Sequence, residues 1–124
     1  MKPDEKKYDT FLSSIQSVSG VEGALILNNQ QKSIIHNFDD STKADAVHQV
    51  TRNTVRLMNQ LTRQARVGLF QTICLKGLNG TMYIIASTSH ENYTIILGSD
   101  SMNLGLIRAL YAQAIHPLNR MTVH

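Results

Sequence analysis

Five histidines, one cysteine and nine carboxylates are the side chains of this 124-residue chain best suited to chemistry. Their spacing assembles none of them into a site. His36, His48, His90, His116 and His124 never stand at ligand spacing with one another or with a Cys, Asp or Glu, so no metal is expected. Cys74 alternates with Ile73 and Leu75, which reads as a small buried strand residue rather than a nucleophile. Serines are plentiful, but there is no Gly-x-Ser-x-Gly elbow, no Walker sequence and no Gly-x-Gly-x-x-Gly. Asp39 and Asp40 precede a helix, where capping accounts for them. No catalytic residue and no cofactor is expected, and the chain reads as a non-enzyme.

The arginines are better organised. Between Ala46 and His90 stand five cations (Arg52, Arg56, Arg63, Arg66 and Lys76) and no Asp or Glu. The net charge is only +3, so the basic character is local. On a helix, Arg52, Arg56 and Arg63 fall one under another. Such a stripe either faces solvent or docks an acidic partner. It could track phosphates. No aromatic residue interleaves with it, however, and stacking is the usual mark of single-strand binding. No nucleic-acid partner is expected.

The element that carries the stripe is a helix expected from about Ala44 to Ala65. Val47, Val50, Thr54, Leu57, Met58, Leu61 and Ala65 cluster on its other side, wide enough to pack on a sheet and also touch a neighbour. Ser41 or Thr42 is expected to cap it, with Asp45 completing a loose capping box, and Gly68 to end it.

Composition agrees with one folded domain. Hydrophobic residues make up 42% and charged residues 17%, enough apolar content for a core and too little charge for a disordered chain. A single cysteine allows no intramolecular disulfide. The charged start Met1–Lys7 lacks the apolar run of a signal peptide, and no run is long enough to span a bilayer. A soluble, cytoplasmic protein with no membrane insertion is expected. Residues 1–7 read as a flexible tail and 8–120 as one domain.

In chain order, Tyr8, Phe11, Leu12, Ile15 and Val18 repeat at helical spacing and stop at Ser19-Gly20. Val21–Leu27 reads as a strand covered on both faces, since Ala24–Leu27 is apolar without alternation. Asn28–Gln31 is a turn into a second strand, Lys32–Phe38. After the long helix come strands at Leu69–Lys76, Thr81–Ser87 and Tyr93–Gly98, the first two joined across Asn79-Gly80. Leu104, Ile107, Leu110, Tyr111, Ala114, Ile115 and Leu118 share one face of a last helix that Pro117 limits. The expected fold class is α+β: an α/β/α sandwich with a five-stranded antiparallel sheet. The long helix would cover one face and the two terminal helices the other. If Leu69–Lys76 lies at the sheet edge, an apolar strand free of proline is left unpaired. Pairing with its own copy across a two-fold axis would cover it and bring two long helices together.

The order of elements, with Gly20-Val21-Glu22-Gly23-Ala24 entering the first strand and Asn103-Leu104-Gly105-Leu106-Ile107-Arg108 opening the last helix, resembles the Roadblock family over roughly residues 8–118. That family includes dynein Roadblock light chains, MglB-like proteins and subunits of lysosomal scaffolds. The well-developed last helix favours the MglB-like branch. The chain departs from the family at its first turn, where Asn28-Asn29-Gln30-Gln31-Lys32 stands in place of a frequent Gly. The resemblance implies a profilin-like fold and a homodimer whose paired long helices form a platform for a Ras-like small GTPase, without a catalytic residue. Partner contacts would fall to Arg52, Arg56 and Arg63. The dimer seam would draw on Val47, Val50, Thr54, Met58, Leu61, Phe70, Thr72 and Cys74, some of which must face their own sheet instead. The alternative is a structural light chain that binds a dynein-type motor or scaffold subunit. A second Roadblock protein or a motor intermediate chain is a further possible partner.

Overall fold

The computed structural model describes residues 3–28, 30 and 33–115. Its elements are α1 (Pro3–Ile15), β1 (Val21–Asn28), β2 (Ser33–His36), α2 (Ser41–Gln64), β3 (Thr72–Gly77), β4 (Gly80–Ala86), β5 (Asn92–Gly98) and α3 (Leu104–Ile115). The strands form one antiparallel sheet in the order β2-β1-β5-β4-β3. No helix among the described residues is long and apolar enough to cross a membrane.

Alternation along the central strands sorts the core into two layers. Ala24 and Ile26 of β1, Ile96 of β5 and Tyr83 of β4 face α1 and α3, where Phe11, Ile15 and Ile107 are fully buried. Leu25, Leu27, Ile95 and Ile84 face α2 and pack with Val47, Val55 and Phe70. The apolar run Ala24–Leu27 is therefore buried at every residue, as its lack of alternation requires. The fold class is the expected α+β sandwich, with α2 on one face and the terminal helices on the other.

Specific bonds tie the layers. The Asn37 Nδ2 donates to the Leu12 carbonyl at 3.1 Å, while its Oδ1 accepts from the Ala24 amide at 2.7 Å. Phe11 meets Tyr111 edge-on, with ring centroids 5.6 Å apart. Burial, reinforced by Tyr8, pushes the Tyr111 phenol far above its ordinary value, so it stays neutral.

Several boundaries differ from the sequence reading. α1 opens at Pro3, inside the stretch read as tail; proline costs little in a first turn, where the N–H has no helical partner. It ends at Ile15, and Val18 packs from the turn that follows. The cap of α2 is Asp40, one of the two acids read as capping, whose side chain accepts from the Thr42 amide at 2.8 Å; neither Ser41 nor Thr42 takes that place. At its other end Arg66 takes the left-handed conformation, with φ 63°. The Arg66 amide bonds Arg63 O and the Val67 amide bonds Thr62 O. That is a Schellman closure made on an arginine; Gly68, the expected stop, lies two residues beyond it with φ 85°. Part of the first turn (Asn29, Gln31, Lys32), and Pro117 and Leu118, lie outside the described residues.

Gly98 sits where β5 turns toward α3. A Cβ there would overlap the Gly20 carbonyl oxygen and the Met102 sulfur. The Gly20 carbonyl cannot retreat cheaply, because it accepts the Ser99 amide at 2.8 Å. Gly98→Ala is expected to cost about 2 kcal/mol or more in urea unfolding; an unchanged midpoint would show that this corner is looser than described.

Candidate functional site

Three faces of α2 do three different things. Ala44, Val47, Thr51 and Val55 are buried against the sheet at i, i+3, i+7 and i+11. A quarter turn round the helix, Val50, Leu57 and Leu61 are 51%, 50% and 48% exposed. With half-buried Thr54 between them they repeat at intervals of four, three and four residues, the spacing of a helix-pairing seam. About 120° from the buried face on the other flank stand Arg52, Arg56 and Arg63, all exposed.

The two flanks look toward different strands. Lys43, on the seam side, lines a depression with Leu75, Met82 and Leu97, which belong to β3, β4 and β5 and place the seam toward β3. Lys43 itself pairs with Glu22. Arg56 and Arg63 line a groove of about 460 Å³ with Val55, Asn59, Gln60, Gln64 and Tyr93. Arg56 Nη2 donates to Asn53 Oδ1 at 3.2 Å. Neither Arg52 nor Arg63 forms a salt bridge among the described residues. The groove thus presents two guanidinium groups two turns apart, amide side chains and a phenol edge. That chemistry suits carboxylates of a protein partner.

β3 is an edge strand, paired only with β4. Thr72, Cys74, Leu75 and Lys76 are exposed, and only Ile73 is partly covered, by the α2 core. Cys74 is therefore not the buried residue that its alternation suggested. Its side shares a face with Tyr83, and α3 does not extend over that margin of the sheet.

Among the residues expected at the seam, Val50, Leu61, Thr72 and Cys74 are exposed, and Thr54 and Met58 are half-buried. Two expectations need correcting. Val47 and Phe70 are 6% and 5% exposed, because both fill the layer between α2 and the sheet of their own chain. Leu57 and Leu75, outside the expected seam, are exposed as well. Leu57 lies on the apolar side of the helical wheel, and the edge position of β3 is what uncovers Leu75.

Asn59 holds the end of the site together. Its Nδ2 donates to the Tyr93 hydroxyl at 3.5 Å and its Oδ1 accepts from the Phe70 amide at 3.3 Å. His90 braces the same residue, its Nε2 lying 3.1 Å from the Phe70 carbonyl. Asn59→Ala is expected to cost about 1–2 kcal/mol and to raise hydrogen exchange at the Phe70 amide. Unchanged protection there would show that the link is not held by this side chain.

No protein-family model and no curated protein matches the sequence. Solved structures do match. Myxococcus xanthus MglB superimposes with a TM-score of 0.77 at 13% identity, covering 97% of each chain. A Roadblock/LC7 domain from Streptomyces avermitilis gives 0.74 at 12% identity, over 92% of this chain and 96% of that one. An MglB in a tetrameric arrangement gives 0.73 at 12%, over 98% and 90%. At these identities the likeness is one of fold: the chain has the five-stranded, three-helix fold of the Roadblock/LC7 domain.

Proposed function

We propose that the chain is a non-catalytic homodimer whose joined α2 helices form a platform for a Ras-like small GTPase, which it regulates or scaffolds. The observation that carries the dimer is the coincidence of two unsatisfied surfaces on one side of the molecule. The half-exposed row Val50–Leu57–Leu61 lies on the same side as the unpaired, proline-free strand β3. A two-fold axis normal to the sheet would pair β3 with its copy and set the α2 helices antiparallel. Val50 would then face the partner's Leu61, and Thr54 the partner's Leu57. The tetrameric arrangement of one MglB neighbour supports self-association.

The docking reading rests on Arg52, Arg56 and Arg63. In such a dimer they lie on the outer flank of each α2, clear of the seam, and no Asp or Glu stands among them between Ala46 and His90, with Asp45 two turns before Arg52 on the same flank. The resemblance to MglB-like proteins supplies the GTPase as partner; the electrostatics supply the site. Nothing in this arrangement brings a nucleophile or a general base to a substrate, so regulation would act through binding. The cytoplasm is the proposed setting, where the exposed Cys74 thiol stays reduced.

The free β3 edge also favours a second reading, a light chain that adds a strand from a motor intermediate chain, a scaffold subunit or a second Roadblock protein. Nucleotide separates the two. Lysate of the source organism passed over the immobilised protein should yield a small GTPase in one nucleotide state, GDP or a non-hydrolysable GTP analogue, and not the other. Equal retention in both, or capture of a motor or scaffold subunit, would replace the GTPase reading by the light-chain one.

Two sets of variants separate dimer from docking. Leu57→Glu with Leu61→Glu should weaken self-association by roughly 100-fold or more, read as a monomer in sedimentation velocity. A parent protein that is itself monomeric at micromolar concentration would overturn the dimer. Arg52→Glu with Arg56→Glu and Arg63→Glu should leave the dimer intact and weaken GTPase retention by roughly tenfold or more. Retention equal to that of the parent would remove the arginines from the interface.

A further inference from the structure

We propose that the cleft between α3 and the β3 margin, on the face of the sheet opposite α2, binds an acidic side chain of an extended peptide, with Arg108 as its anchoring cation. The cleft measures about 310 Å³, at the small end for ligand pockets and adequate for a side chain with its neighbours. Tyr83 and Ile85 of the sheet form its floor, Arg108 and Ala112 of α3 one wall, and Thr72 the opposite rim. The cleft exists because the sheet is five strands wide and the α1–α3 layer packs chiefly on the other four. Thr72 pairs across the strands with Ile85, and Cys74 with Tyr83, yet both β3 residues remain exposed on this face.

The chemistry of the lining selects the ligand. Arg108 is a cation with no salt-bridge partner among the described residues, and no Asp or Glu lines the cleft. Guanidinium favours two parallel bonds to a carboxylate. The exposed Thr88 hydroxyl at the rim can donate to the same space, whereas the Thr72 hydroxyl is engaged by the Tyr83 phenol and the Ser87 hydroxyl by the Glu91 and Asn92 amides. The Tyr83 phenol is pushed up by burial, against the downward pull of Arg108, so it stays protonated. A peptide fits better than a free acid because the cleft opens onto the exposed side-chain face of β3, a shelf on which an extended chain can lie. This site does not rest on the GTPase reading. Pairing of β3 with a second copy would use the backbone edge of the strand and leave its upper face free.

The test is a titration of the 15N-labelled full chain with the peptide acetyl-Glu-Leu-Glu-Leu-Glu-amide, its all-Gln counterpart, acetate and inorganic phosphate. The expected result is saturable shifts at the Thr72, Tyr83, Ser87 and Thr88 amides with the Glu peptide. The Gln peptide should bind at least roughly tenfold more weakly, and so should the Arg108→Gln protein. Arg56→Gln should bind like the parent. Absence of saturable shifts, shifts centred on α2, or full binding by Arg108→Gln would overturn the site. Shifts of the same size with acetate or phosphate at the same concentration would replace it by a small-anion site. Arg108 is exposed on α3, so its replacement should leave the melting temperature unchanged.

Discussion

β3 has a neighbour on one side only, and most of what is distinctive about this surface descends from that. An antiparallel strand inside a sheet satisfies its amides on both edges, while an edge strand leaves half of them to solvent or to another chain. Proteins usually blunt such an edge with charge, proline or a covering loop. Here the strand is Thr72-Ile73-Cys74-Leu75-Lys76-Gly77, with one charge and no proline. The same incompleteness uncovers Leu75 on the α2 side and Cys74 on the α3 side. It also leaves Val50, Leu57 and Leu61 without a partner surface among the described residues. A second copy would satisfy all of these on the α2 side at once, which is why the edge and the helix row argue together.

The long helix shows how one element serves three masters without conflict. Twenty-four residues give nearly seven turns. The buried face uses small and branched residues (Ala44, Val47, Thr51, Val55), and both flanks turn outward. One flank then offers leucines and the other arginines, and the sheet fixes which strand each flank looks toward. Arg66 closes the helix in a left-handed conformation that favours glycine, a strain of about 1 kcal/mol, and the Asn59 and His90 bonds to Phe70 then fix the chain just before β3. The link that follows is therefore directed onto β3 rather than left free.

Periodicity made the order of elements legible. The unbroken apolar run Ala24–Leu27 announced a strand with both faces covered, and the i, i+3, i+4 pattern announced all three helices. Spatial order was less accessible. Nothing in Leu69–Lys76 states that it is an edge strand, so Cys74 looked buried by alternation and is exposed by position. Val47 and Phe70 looked like seam residues because apolar residues on a helix and its following strand do not say which of two apolar neighbours they meet. Arg52, Arg56 and Arg63 were readable because they lie on one helix. The α3 cleft was not, because Thr72, Tyr83, Ser87 and Arg108 come from three elements and the β4–β5 turn, and only the strand order brings them together.

The sheet separates the two cationic sites more completely than their sequence positions suggest. Arg56 and Arg63 stand above the α2 face, and Arg108 above the opposite one. A five-stranded sheet with buried side chains on both faces lies between them. Partners proposed for the two sites would therefore not compete sterically, and the mutual repulsion of the two groups of arginines across the layers is screened by solvent on both outer faces. If the chains pair through β3, two copies of each site follow by symmetry, with the α3 clefts on either side of the new strand pair and the arginine flanks on the outer sides of the α2 pair. An assembly of that kind would be divided by its own sheet into two docking surfaces. One would be read through helices and the other through an uncovered strand.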